Sequence, residues 1–305
     1  MVYMAIGRVL GFMVGKLFPG WLVWCFAKRF IAGRELHSAL GTAKCLNKDG
    51  LRVSIDCIGE DLSDPNEIRR VKTEYLALID AMVESKINGD ISLKLSHFGI
   101  LDANDVIDVA AYHQYKFGRE AFEEVLFSAV ARRMRLWVDA EALRWRKSTW
   151  HFLASYPDFH EYLGIRIQAY AADAVTFLSE RFEDNWRGSV GVCKGAYREH
   201  GSKIVRGVRL RENFLALCKL VAKNGPFLQI DTHDEELSHE ADMLIGNVPH
   251  EHGLLLGINE SFVRLLQKTS EQVNIYGPYG SDVKGYIARR IAERPQYIFM
   301  PFRGT

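Results

Sequence analysis

Charge of one sign is missing from this chain: 39 Lys and Arg side chains against 38 Asp and Glu leave a net charge of +1 over 305 residues. Nucleic-acid binding usually needs a basic excess on one face, so that class of partner is excluded. Cysteine is scarce. The five thiols, Cys25, Cys45, Cys57, Cys193 and Cys218, are scattered and form no C-x-x-C pair, so neither a disulfide framework nor a zinc knuckle is indicated and a reducing cytoplasm is the natural compartment. Proline is rare, 8 residues against 25 glycines, and no low-complexity linker divides the chain. Long hydrophobic runs are absent too: VLGFMVG and LFPGWLVWCFA near the N-terminus both fall short of the ~18–20 apolar residues that span a bilayer. No clear A-x-A cleavage site follows them, so no signal peptide is expected. No G-x-G-x-x-G follows the first strand-like run, which argues against a dinucleotide-binding sheet.

What remains is the composition of an ordinary folded protein, 48% apolar and 25% charged, of a length that suits one large domain. The first 34 residues stand apart, because Arg8, Lys16, Lys28, Arg29 and Arg34 occur there without one acidic side chain. A basic amphipathic segment of this kind suits peripheral contact with an anionic membrane, here the inner face of the cytoplasmic membrane; a helix that covers the core is the other reading.

From residue 52 onward, short β-rich runs alternate with helical patterns. The runs fall at 52–56, 91–95, 135–139, 164–168, 189–193, 227–231, 252–257 and 273–277. Eight repeats of this kind predict a (β/α)8 TIM-type barrel over 51–305, with an N-terminal helical segment over 1–50. Barrel enzymes place their chemistry at the C-terminal strand ends, and the side chains there are polar: Asp56, Lys94, Asp139 with Glu141, Gln168, Lys194, Thr232 with His233, and Tyr276. After the last strand, YGPYGSDVKGYIARRIAERP predicts a helix capped by Asp282 and stopped by Pro295. Its adjacent Arg289 and Arg290 suit a bidentate grip on a carboxylate. His250 and His252 in PHEHG are expected to precede a strand at the barrel's stability face, and no metal site is expected.

In order and spacing, the segments IAGREL (31–36), DCIGE (56–60), ISLKLS (91–96), VDAE (138–141), IQAY (167–170), CKGAYREH (193–200), DTHDEE (231–236) and Tyr276–Arg294 resemble the proline dehydrogenase family. These are flavin enzymes on a distorted (β/α)8 barrel, and the likeness is greatest to the short, single-function bacterial members. The resemblance implies FAD-dependent oxidation of L-proline to Δ1-pyrroline-5-carboxylate by hydride transfer to the flavin N5, with electrons passed to a quinone. It implies that Arg289, Arg290 and Lys94 hold the substrate carboxylate with Asp139 nearby, and that Tyr276 and Tyr286 wall the pyrrolidine ring. It assigns Gln168, Lys194, Gly195, Ala196, Tyr197, Arg198, Thr232, His233 and Asp234 to the cofactor.

Two positions depart from the family pattern. Gly191 stands where relatives carry an arginine beside the reactive flavin nitrogen, and Arg166 on the neighbouring strand has the parity to reach that space or to form a salt bridge lower in the barrel. Asp234 stands where relatives more often have Asn. Other readings stay open: oxidation of a related cyclic amino acid, a Schiff-base enzyme using Lys94 or Lys194, or an FAD-binding homologue without turnover.

Overall fold

The computed structural model describes Trp24 and residues 28–100, 109–197, 199, 203–269 and 271–282. Eight parallel strands close into a barrel in the order β1 to β8: Arg52–Cys57, Gly89–Leu93, Leu136–Val138, Leu163–Gln168, Ser189–Cys193, Leu228–Asp231, His250–Leu255 and Val273–Tyr279. Helix α1, Leu36–Lys48, precedes β1. Between strands run α2 (Pro65–Glu84), α3 (Val109–Ala131), α4 (Arg146–Ala154), α5 (Ala174–Glu183), α6 (Val208–Asn224), α7 (Glu235–Ile245) and α8 (Glu260–Lys268). The (β/α)8 expectation therefore holds. Among the described residues no helix is long and apolar enough to cross a membrane.

Alternation along the strands explains the architecture. Val53, Ile55, Leu93, Leu136, Val138, Ile165, Ile167, Val190, Val192, Leu228 and Ile230 are buried in the main apolar core, whose other wall is the helix layer. At ~25 cal/mol per Å2 of apolar surface removed from water, this shell between sheet and helices is the principal driving force for closure. The alternate residues face the barrel axis and are largely polar, so the strands read as alternating rather than continuously apolar, the usual pattern of a parallel sheet buried on both faces. At the N-terminal end of the axis, Glu251 accepts hydrogen bonds from Gln229 (2.8 Å) and Asn274 (3.1 Å). Arg52 pairs with both Glu251 (3.3 Å) and Asp90 (3.0 Å). This polar plug lies at the end of the barrel opposite the strand C-termini.

Two strands begin two residues earlier than the sequence pattern indicated. β2 starts at Gly89 and ends at Leu93, because Lys94 already caps the 3-10 turn Leu95–Phe98. β7 starts at His250, not after the two histidines. Its His250 and Glu251 pair in register with Leu228 and Gln229, and the partners of Glu251 let a carboxylate sit inside a strand that the apolar pattern alone did not reveal. Both histidines nonetheless remain at the N-terminal end of the barrel.

Helix starts follow local chemistry. Asp64 caps α2 by accepting from Asn66 N at 2.9 Å, ahead of Pro65 at the first turn. Asp234 caps α7 in the same way, accepting from Leu237 N at 3.2 Å. The helix expected after the last strand, with Tyr286, Arg289 and Arg290, lies outside the described residues, as do residues 1–23 of the basic segment.

Close approach inside the barrel generates a test. A Cβ at Gly253 would lie 1.8 Å from Asp231 Oδ1, so Gly253→Ala must displace a buried carboxylate. Urea denaturation is expected to show a loss of ~1–3 kcal/mol, the range for overpacking. An unchanged midpoint would contradict this packing.

Candidate active site

The strand C-termini open into a cavity of about 530 Å3. Its floor is built from Asp56 on β1, Arg166 and Gln168 on β4, Cys193 on β5, Asp231 on β6 and Tyr276 on β8, with Lys94 and Asp139 supplied by the residues just after β2 and β3. Strand parity puts these side chains on the axis, and parallel register puts their ends at one mouth.

Asp139 is the hub. Its Oδ1 accepts from Ser92 Oγ and from Arg166 Nη1, each at 2.7 Å, and its Oδ2 lies 3.0 Å from the Tyr276 hydroxyl and 3.5 Å from Lys94 Nζ. The Tyr276 hydroxyl also lies 2.5 Å from Asp56 Oδ2, which Lys94 Nζ approaches to 3.0 Å. Arg166 continues the network to Asp231 (3.1 Å) and to Gln229 (2.9 Å), and its guanidinium carbon sits 5.7 Å from the centre of the Tyr276 ring. Two cations thus face three carboxylates.

Burial alone would raise the Asp139 carboxyl, but Arg166 and Lys94 outweigh it and hold its pKa below the usual value. Burial dominates at Asp56, and the like charge of Asp139 adds to it, so its pKa is raised despite Lys94 and Tyr276. The Tyr276 hydroxyl has a single proton to share between these two carboxylates, 2.5 Å from Asp56 and 3.0 Å from Asp139. For Lys94, burial opposes the charged form, yet Asp56 and Asp139 prevail and lift its pKa above the ordinary lysine value. A lysine held as ammonium has no lone pair, so the geometry speaks against Lys94 as a Schiff-base nucleophile.

The remaining sequence-assigned residues line the other half of the cavity. Gln168 donates to the Glu141 carbonyl oxygen at 3.1 Å. Lys194 pairs with Asp234 at 2.5 Å, and Thr232 Oγ1 accepts from Asp234 N at 3.2 Å. Asp234 is therefore both the cap of α7 and the counterion of Lys194. His233 Nε2 accepts from Leu255 N at 3.1 Å. Gly195 lies against the Tyr170 ring, and Ala196 and Tyr197 form the rim. Arg198 lies outside the described residues.

The sequence pattern placed Asp56 at the barrel mouth without giving it a role, and it left Ser92, Cys193, Gln229 and Asp231 out of the site. Their signal was parity: each shares the facing of an assigned residue on its own or a neighbouring strand. The space at Gly191 is filled by Arg166. A Cβ at Gly191 would meet Asp231 Oδ2 at 2.8 Å and Arg166 Cγ at 3.1 Å, so the absence of a side chain there is what lets Arg166 cross β5 toward Asp231.

Glu141 yields a pH test. Burial pushes its carboxyl up to about 6, against hydrogen bonding from Ser96. The native state then binds more protons than the unfolded state between the unfolded carboxylate value of ~4.3 and about 6, so this group's contribution to stability falls as pH rises through that window. Glu141→Gln should remove the dependence, gaining ~2 kcal/mol over the parent between about pH 4.5 and about pH 8 in urea titrations. Parallel pH profiles for parent and variant would refute it.

Comparison with known proteins places the chain in a family. A family model described as "Proline dehydrogenase" matches residues 39–295. Proline dehydrogenase 1 of Bacillus subtilis (strain 168) is 30% identical over 286 residues, covering 91% of this chain and 90% of its own length. The proline dehydrogenase of Deinococcus radiodurans is 26% identical over 281 residues, covering 90% and 88%. Among solved structures, proline utilization A (PutA) from Bdellovibrio bacteriovorus superposes with a TM-score of 0.76 at 17% identity over 92% of this chain. That likeness is one of fold, and the chain spans about a third (34%) of that protein's length. With the family model matched over most of its length and relatives this similar across nine-tenths of both sequences, the chain belongs to the proline dehydrogenase family.

Proposed function

We propose that this protein oxidises L-proline to Δ1-pyrroline-5-carboxylate using bound FAD and passes the electrons to a quinone. The observation that carries the reading is the Lys94–Asp139–Tyr276 cluster, in which Asp139 Oδ2 lies 3.5 Å from Lys94 Nζ and 3.0 Å from the Tyr276 hydroxyl on the floor of the barrel-mouth cavity, in a chain of this family.

The donor set fits a flavin nucleotide. Gln168 offers an amide, Lys194 an ammonium, Thr232 a hydroxyl and His233 an imidazole along one wall of the cavity, and Gly195 keeps part of that wall free of side-chain bulk. FAD, when bound, supplies the two-electron acceptor for the hydride that leaves C5 of the ring. The protein's own part is positioning and charge. Lys94, held as ammonium, attracts the substrate carboxylate, and Arg289 and Arg290 complete that grip. Tyr276, fixed between Asp56 and Asp139, walls the ring. The ring nitrogen must give up a proton so that its lone pair can form the C5–N double bond as the hydride leaves, and the depressed pKa of Asp139 keeps a negative charge in the pocket to stabilise the iminium character that develops.

The basic segment over residues 1–34 provides the contact with a membrane that a quinone acceptor requires.

Anaerobic addition of L-proline should bleach the flavin absorbance, and the cofactor released on denaturation should be FAD. Arg289→Met or Arg290→Met should keep FAD and weaken proline binding by ~2–5 kcal/mol. A flavin that proline never reduces, or release of another nucleotide under excess FAD, would sink the proposal.

Arg166 takes over, in this reading, the charge that relatives supply from the position of Gly191. Gly191→Arg should then crowd Asp231 without raising the flavin potential. A rise of ~30 mV, worth ~1.4 kcal/mol for a two-electron couple, in a dye-equilibrated redox titration would overturn that assignment.

A further inference from the structure

The N-terminal end of the barrel carries a second cluster that proline chemistry does not use. His250 and His252 are two apart on β7 and share its outer face, while Glu251 between them points inward. Their ring centres are 5.4 Å apart. From α7, Asp242 Oδ1 reaches 3.2 Å from His250 Nε2 and 3.4 Å from His252 Nε2. Glu271, just before β8, brings Oε2 to 3.9 Å and 4.0 Å from the same two nitrogens. The other ring nitrogens are engaged. His250 Nδ1 lies 2.8 Å from the Val248 carbonyl oxygen, and His252 Nδ1 lies 3.0 Å from Ser238 Oγ. A carbonyl only accepts, so His250 Nδ1 carries the proton and a neutral ring keeps its lone pair on Nε2.

We propose that Asp242, His250 and His252, completed by Glu271, form a structural site for a divalent metal ion of the Zn2+ class. The spacing is that of a coordination shell. Tetrahedral zinc with bonds of ~2.0–2.1 Å has edges of ~3.3–3.4 Å between ligand atoms, and the two Asp–His distances bracket that value. The ligand atoms of Asp242, His250 and His252 all lie within 4.8 Å of one another, and Glu271 needs to close by only ~0.6 Å to reach the same edge length.

A second observation points the same way. His252 is wholly buried, and its Nε2, aimed at the two carboxylates, has no hydrogen-bond partner. Leaving such a nitrogen unsatisfied costs desolvation that coordination would recover. Two neutral imidazoles and two carboxylates also cancel the double positive charge of the ion. The Nδ1 contacts to Val248 and Ser238 are the outer-shell bonds that orient metal-bound imidazoles.

Asp242 and Glu271 are partly exposed and leave a way in for the ion. The ligands come from α7, β7 and the segment leading into β8, so the ion would tie three elements together at the end of the barrel that governs stability. The expectation of no metal at PHEHG followed from its distance from the catalytic mouth, which rules out a catalytic ion and leaves a structural one untouched. Asp242 and Glu271 are 8 and 21 residues from His250, too irregular a spacing to read as a motif.

The test uses the full, tag-free, flavin-loaded protein, stripped with a chelator, supplied with ZnCl2 and dialysed. Elemental analysis should find one zinc per chain, and the thermal midpoint should rise with free Zn2+. X-ray absorption at the zinc edge should report only N/O ligands at ~2.0–2.1 Å with imidazole scattering. Asp242→Asn and His252→Gln should each weaken zinc binding about tenfold or more and abolish the thermal shift, while Asp242→Asn keeps proline turnover. If His252→Gln does not fold, Asp242→Asn at its partly exposed helix position decides. Failure to retain zinc with no zinc-dependent thermal shift would overturn the proposal and leave an ion pair of His250 with Asp242, as would binding undiminished in Asp242→Asn.

Discussion

The Asp139 carboxylate, buried at the mouth of the barrel, is the constraint on which the rest of this structure turns. A carboxylate taken out of water is stable only if paired and hydrogen-bonded, and four groups from three strands and one strand end converge to do it: Ser92, Lys94, Arg166 and Tyr276. Each of these reaches the axis only with the parity its strand has, so a one-residue slip of any strand would strand the charge. Specifying the charge network and specifying the barrel's register are the same requirement.

That requirement propagates outward through size. Arg166 must cross the barrel between Asp139 and Asp231, and the route is open because β5 and β7 present glycines, Gly191 and Gly253, where side chains would collide with Asp231. The position that looks like a loss beside relatives with an arginine is, in this chain, what gives another arginine its place. The same bridge couples Asp231, whose carboxyl burial raises to about 7 against the pull of Arg166, to the carboxylate that faces the substrate pocket.

Much of this was legible in the sequence, and for identifiable reasons. Most of the strands were visible because their outer-facing residues are β-branched or Leu, and the mouth residues Lys94, Asp139 and Tyr276 because a polar group ending an apolar run is conspicuous. β2 and β7 were misplaced by two residues because the small or polar residues at their starts, Gly89, His250 and Glu251, pair with strand residues distant in sequence, Val53, Leu228 and Gln229. The choice between the two destinations of Arg166 was equally out of reach. Parity sets its facing, but whether its head meets a carboxylate depends on strands β3 and β6, which only closure brings together.

The two ends of the axis solve one problem in opposite ways. At the stability end, Glu251 is surrounded by Gln229, Asn274 and Arg52. At the mouth, the partners are as numerous, yet Lys94 and Asp139 keep a side toward the cavity. A buried network held by fixed dipoles resists reorganisation, and in an active site such resistance is useful, because charge that develops during reaction meets groups already oriented for it. The acids are tuned apart: burial raises the carboxyls of Asp56 and Asp231, whereas Arg166 and Lys94 outweigh burial at Asp139 and hold it below its usual value. Asp139 shares Lys94 and the Tyr276 hydroxyl with Asp56, and it is the carboxylate of the three that its cationic neighbours hold below the ordinary value.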